Sequence, residues 1–131
     1  MMPTADKTKI LVVEDDEVTQ RLFKRILERS GYAVAVADNG IDGFEVAVRE
    51  HPHLVLLDLM MPELDGFGFL GLLRASPLAD LPVIVTSALA DSARQTQAFA
   101  MGVREFLVKT KFTLNDLVAS IQRNLPDRAF R

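Results

Sequence analysis

Five short apolar runs, each followed by a longer segment of helical period, divide the chain between Lys9 and Leu125. KILVVED (9–15) precedes EVTQRLFKRILERSG (17–31), where Val18, Leu22, Phe23 and Ile26 recur at helical spacing and Gly31 ends the run. YAVAVAD (32–38) precedes GIDGFEVAVRE (40–50), with Ile41, Phe44, Ala47 and Val48 on one helical face ahead of Pro52. HLVLLD (53–58) leads into GFGFLGLLRAS (66–76), LPVIVTSA (81–88) into DSARQTQAFAMG (91–102), and VREFLVK (103–109) into TLNDLVASIQRNL (113–125). The short runs are too uniformly apolar to keep one face wet. They predict parallel strands covered by helices on both sides, an α/β doubly wound sheet in three layers. Right-handed crossovers reduce the topologies to a few.

A chain of 131 residues carries one such domain. We expect it over 9–125, with a polar leader at 1–8 and a tail or truncated linker at 126–131. The formal net charge of −3 offers no basic field, so direct nucleic-acid binding is not expected. No apolar run reaches the length of a membrane span, and no membrane partner is expected. The absence of cysteine removes disulfides, thiolate metal sites and cysteine nucleophiles, and fits a cytoplasmic location. His51 and His53 flank Pro52 ahead of the third strand and read as solvated loop or strand-start residues.

In a sheet of this kind ligands bind outside the carboxyl ends of the strands. Those ends carry Glu14, Asp15 and Asp16 after the first strand, Asp58 after the third, Ser87 after the fourth and Lys109 after the fifth. Carboxylates crowded on one edge raise one another's pKa unless a cation sits among them, and a hard divalent cation takes oxygen ligands of this kind. A lysine and a hydroxyl on the same edge supply what a phosphoryl group needs. An aspartate can itself take that group as an acyl phosphate. Asp58, ending a buried strand, is the candidate acceptor. Taken singly, Asp15 or Asp16 reads equally well as a cap of the following helix, and Asp58 with Lys109 as a structural ion pair.

Together the acidic VVEDD, LLDLMMPELDG, TSA and FLVK segments resemble the receiver domains of two-component response regulators, chemotaxis receivers included, in the family's order and over about residues 8 to 125. The resemblance implies a flavodoxin-like sheet of five strands in order 2-1-3-4-5 with five helices. It implies a phosphoryl group accepted by Asp58 from a histidine kinase or histidine phosphotransfer protein. Magnesium, with manganese as alternative, would be held by Asp15, Asp58 and the backbone carbonyl of Met60, with Glu14 acting through water. Lys109 would pair with the phosphoryl group, Ser87 would move to bond it, and Phe106 would turn inward as the switch aromatic. An interaction face built by the fourth helix, fifth strand and fifth helix would then engage a downstream protein or a second copy of the chain. The chain is not expected to turn over substrate beyond self-phosphorylation and slow self-dephosphorylation.

One position departs from that pattern. Family members usually follow the lysine with proline in a cis peptide, and here Thr110 stands there. A cis bond costs about 2.5–4 kcal/mol before threonine against about 0.5–1 kcal/mol before proline. Either the loop stores that strain, or the bond is trans and Lys109 is aimed differently, with Lys111 as a substitute. Met60 and Leu89 flank the route of attacking water and cannot orient it, which predicts a long-lived phosphorylated form. Gly66, Gly68 and Gly71 predict a weak third helix. Among rivals, a phosphohydrolase of the haloacid dehalogenase type would have an aspartate at position 60, and a flavin carrier would not place EDD after its first strand. A receiver-like interaction module that is not phosphorylated is the remaining alternative.

Overall fold

The computed structural model describes residues 7–61, 64–89 and 91–125. Ten elements alternate: β1 (Lys9–Val13), α1 (Glu17–Arg29), β2 (Ala33–Ala37), α2 (Gly40–Glu50), β3 (Leu54–Asp58), α3 (Gly66–Arg74), β4 (Val83–Ser87), α4 (Ser92–Ala100), β5 (Glu105–Val108) and α5 (Leu114–Asn124). The strands form one five-stranded sheet in order β2-β1-β3-β4-β5, every neighbouring pair parallel. This is the flavodoxin-like arrangement that the resemblance implied. The β1–β2 ladder runs from Lys9 opposite Ala33 to Val13 opposite Ala37, and the Ala33 N–H bonds the Thr8 carbonyl just ahead of it at 2.9 Å.

Strand alternation divides the core in two. Ile10, Val12, Leu54, Leu56 and Ile84 pack against Phe23 and Leu27 of α1 and Leu117 and Ile121 of α5. Leu11, Val13, Val55, Leu57, Val83 and Val85 face Ala47 of α2, Phe69, Leu70 and Leu73 of α3 and Ala98 of α4. Each fully buried leucine or phenylalanine contributes about 1.5–3 kcal/mol by leaving water.

Two helical faces differ from the periodicity reading. In α1 the buried pair is Phe23 and Leu27, whereas Leu22 is exposed and Val18 is 75% exposed. Val18 lies in the first turn, above the edge where β1 has already ended. In α2 the buried residues are Gly40, Gly43 and Ala47, and Ile41 and Val48 are exposed. The helix lies so close to the sheet that a Cβ on Gly43 would meet Val13 Cγ2 at 3.0 Å. Small residues set the closest contact here, Phe44 packs half-buried beside them as its spacing predicts, and Ile41 and Val48 turn outward.

The glycines of α3 have a packing reason as well. A Cβ on Gly66 would lie 2.7 Å from the Leu59 Cα, so the helix can start against the loop after β3 only with glycine there. At the amino edge of the sheet, the Arg74 guanidinium ties two loops together. It donates to the carbonyls of Ala79 (2.7 Å), Leu81 (2.9 Å), Met101 (2.9 Å) and Gly102 (3.2 Å). His53 is also part of this edge, standing directly before β3 as a strand-start residue and not as a solvated one. Its N–H bonds the Lys9 carbonyl at 2.8 Å, and its Nδ1 accepts from the Lys9 N–H at 3.0 Å. His51, at φ 49°, ends α2 in the left-handed conformation.

Candidate functional site

The carboxyl edge of the sheet gathers the charged residues. β1 ends at Val13 opposite Leu57, and β3 ends at Asp58 opposite Thr86 of β4. The sheet register therefore places Glu14 and Asp58 on adjacent strands, one residue past the last β1–β3 pair. Both are buried, with 1% of Glu14 and 4% of Asp58 exposed. Asp15 is exposed beside them, and one oxygen from each of Glu14, Asp15 and Asp58 lies within 4.8 Å of the others. Asp16 is the N-cap of α1, accepting the Thr19 N–H at 3.0 Å. Its capping role is the plain structural one.

Lys109 is the one ammonium that reaches this cluster among the described residues. It follows β5 directly, and its N–H bonds the Ser87 carbonyl at 2.7 Å. The next turn closes through the Lys111 N–H to the Val108 carbonyl at 2.8 Å. No peptide bond among the described residues is cis, so the bond before Thr110 is trans. Lys109 is nonetheless aimed at the carboxylates, which separates two expectations that the sequence had tied together. Its Nζ lies 2.7 Å from Glu14 Oε1 and 3.7 Å from Asp58 Oδ2. The remaining Glu14 oxygen accepts the Asp16 N–H at 3.1 Å, and Asp58 Oδ1 accepts the Met60 N–H at 3.2 Å.

Burial pushes the Asp58 carboxyl up, to about 7, and the Glu14 charge adds to the push. The Lys109 ammonium and the Met60 N–H pull it back only in part. Three carboxylates thus face one ammonium. This all-oxygen, charge-deficient donor set fits a hard divalent cation, and the Asp58 carboxylate is the group that such an ion would favour in its ionised form.

Ser87 closes β4 in full burial, its Oγ accepting the Leu89 N–H at 3.2 Å. Met60 (44% exposed) and Leu89 (43%) each stand two residues beyond Asp58 and Ser87. Phe106 pairs with Val85 across the sheet and is half-buried against the core on the α2–α4 side. It lies away from the carboxylate cluster itself. Gln20 is a site neighbour that the sequence reading missed. It is half-buried in α1, and its Nε2 lies 2.9 Å from the Glu14 carbonyl and 2.9 Å from Asp38 Oδ1.

An open parallel sheet in order 2-1-3-4-5, with an acidic cluster and a lysine at its carboxyl edge, defines a receiver-type α/β module. The family model of the response regulator receiver domain matches residues 10–122, and the chain belongs to that family, the receiver domains of two-component systems. It is 38% identical over 116 residues to the probable transcriptional regulator ycf27 of Porphyridium aerugineum, covering 88% of this chain and 47% of that protein. It is 34% identical over 125 residues to the response regulator MprA of Mycobacterium leprae, covering 92% and 54%. The chain therefore spans about half the length of these curated relatives. Among solved structures, the chemotaxis protein CheY4 of Vibrio cholerae superposes with a TM-score of 0.84 at 25% identity, over 91% of this chain and 99% of that one. No described helix is long and apolar enough to cross a membrane.

Proposed function

We propose that this domain accepts a phosphoryl group on Asp58 from a histidine kinase or histidine phosphotransfer protein and thereby switches a protein-interaction face. The observation that carries the reading is the meeting of Glu14, Asp15 and Lys109 around Asp58 at the buried mouth of β3. An Asp58 oxygen attacks phosphorus, the bond from phosphorus to the donor nitrogen breaks, and the departing imidazole keeps the electron pair. Asp15, Asp58 and the Met60 carbonyl would hold magnesium, with Glu14 acting through water. The ion would neutralise charge on the phosphoryl oxygens. Lys109 leaves Glu14 for a phosphoryl oxygen, and the Ser87 hydroxyl donates to another.

Lys109 reaches the carboxylates with Thr110 in place of proline, which supports phosphoacceptance over a module that is not phosphorylated. An apolar cleft of about 350 Å³, lined by Leu22, Phe23, Phe112 and Leu114, opens beside Lys109 and supports the docking of a donor protein there. Output would pass through the face of α4, β5 and α5, with Phe106 turning as Ser87 moves, towards a downstream protein or a second copy of the chain. α4 suits such a shift, because Ala98 is its one buried residue. The site residues make self-phosphorylation a stoichiometric event, not turnover.

The assignment to position 58 is tested by acetyl phosphate treatment followed by borohydride reduction, which converts an aspartyl phosphate to homoserine. Peptide masses should place homoserine at position 58, and homoserine elsewhere would overturn the assignment. Met60 and Leu89 offer attacking water no hydrogen bond. Met60→Asn is expected to shorten the phosphorylated half-life several-fold, and an unchanged half-life would remove that explanation.

A further inference from the structure

Only residues 14 to 16 join β1 to α1, and they carry two of the three carboxylates in the cluster. Asp15 is the exposed member, so where its carboxylate points depends on how the peptides on either side of it are held. Gln20 grips both sides. Its backbone N–H bonds the Asp16 carbonyl at 2.9 Å as the first turn of α1 closes. Its carboxamide reaches back past Asp15 to the Glu14 carbonyl at 2.9 Å. The same Nε2 bonds Asp38 Oδ1 at 2.9 Å and approaches the Ala37 carbonyl at 3.3 Å, which anchors it to the end of β2. The Glu14 N–H bonds that Ala37 carbonyl at 3.0 Å, so the Glu14 backbone is fixed from both of its ends.

We propose that Gln20 is a positioning residue for the divalent-metal site: its carboxamide fixes the Glu14 carbonyl on one side of Asp15, the first backbone bond of α1 fixes the Asp16 carbonyl on the other, and the Asp15 carboxylate is thereby held towards Asp58. The inference rests on the reading of the acidic cluster as a magnesium site. Gln20 touches neither metal nor phosphoryl group and acts through the backbone it holds. Partners of this kind, one step removed from the ligands, commonly change metal affinity by 10–100-fold. A tether serving only stability would act differently. The sheet-facing anchors of α1 are Phe23 and Leu27, and Gln20 lies beyond them at the carboxyl edge.

The test is a magnesium titration of the ¹⁵N-labelled full chain, followed by amide shifts, beside thermal melts of each variant. Asp58→Asn serves as the control for site occupancy. Gln20→Ala should weaken magnesium binding by about tenfold while Tm falls by only a few degrees. Gln20→His, whose neutral imidazole at about pH 8 places one N–H donor at similar reach without adding a cation to the site, should recover part of the affinity. Gln20→Met keeps the stem and removes the donors, and it replaces the alanine variant if that chain does not fold. Wild-type affinity in the alanine or methionine variant would overturn the proposal. So would a loss of affinity that Gln20→His leaves wholly unrepaired, because the donor is what the account invokes. If the wild-type chain shows no magnesium-dependent shifts that Asp58→Asn abolishes, the metal-site reading itself fails, and this inference fails with it.

Discussion

The two ends of the sheet solve opposite problems with the same kinds of residue. At the amino edge the polar groups described above are satisfied by hydrogen bonds or by an ion pair. Arg74 gives its protons to four loop carbonyls, and Lys9 Nζ pairs with Glu50 at 2.7 Å. At the carboxyl edge three carboxylates share one ammonium, and Asp58 is pushed up to about 7 by burial and by Glu14. Matched groups hold a fold together, whereas a cluster left short of positive charge is held in place by the rest of the structure and is available for a ligand. The contrast shows where this domain spends stability and where it stores reactivity.

Asp58→Asn breaks the contrast most completely. Phosphorylation should be lost entirely, while the fold becomes no less stable, because a buried carboxylate repelled by Glu14 has been replaced by a neutral isostere. Urea denaturation and intact mass together check this, and a large fall in stability would show that Asp58 is chiefly a structural partner of Lys109.

Arg74→Ala should do the reverse. Leaving loop carbonyls without their donor should cost about 2–4 kcal/mol in urea denaturation, while the folded fraction labels with acetyl phosphate as the wild type does. A loss of labelling per folded molecule would join the two ends that the account keeps separate.

The smallest effect concerns Glu105. Its hydrogen bonds with Arg123, then with Asn124, hold its carboxyl below the ordinary 4.5. A carboxyl lowered in the folded state contributes stability above its unfolded value and loses it as pH falls through the folded value. The pair is exposed on the Arg123 side, so solvent screening keeps the contribution small. Arg123→Ala should flatten the acid limb of stability against pH below about 4.5 without touching phosphorylation, as unfolding at stepped pH would show. An unchanged acid limb would mean that the pair contributes nothing measurable.

What was legible in the sequence follows from which side of each bond carries a side chain. β1, β3 and β4 read clearly because both of their faces are buried, and the polar residues that end them stand out for the same reason. The helical faces were less legible. Periodicity gives the width of an apolar stripe but not its centre, so it favours Leu22 over Leu27, and in α2 it finds Ala47 but favours Ile41 and Val48 over the glycines that permit close approach. Gln20 and Arg74 could not be read at all, because most of their partners are backbone carbonyls supplied by every residue alike. The aim of Lys109 was open for a related reason. It is set by a backbone bond to Ser87 and a turn onto Val108, neither of which leaves a mark on residue identity.

The central claim, that the charge-deficient edge exists to bring a metal and a phosphoryl group to Asp58, is most directly tested by weighing the intact protein after incubation with acetyl phosphate, with and without magnesium. The account predicts a gain of one phosphoryl group that requires magnesium and disappears in Asp58→Ala. No gain, under conditions that modify another receiver domain, would contradict it and leave the cluster as an interaction surface.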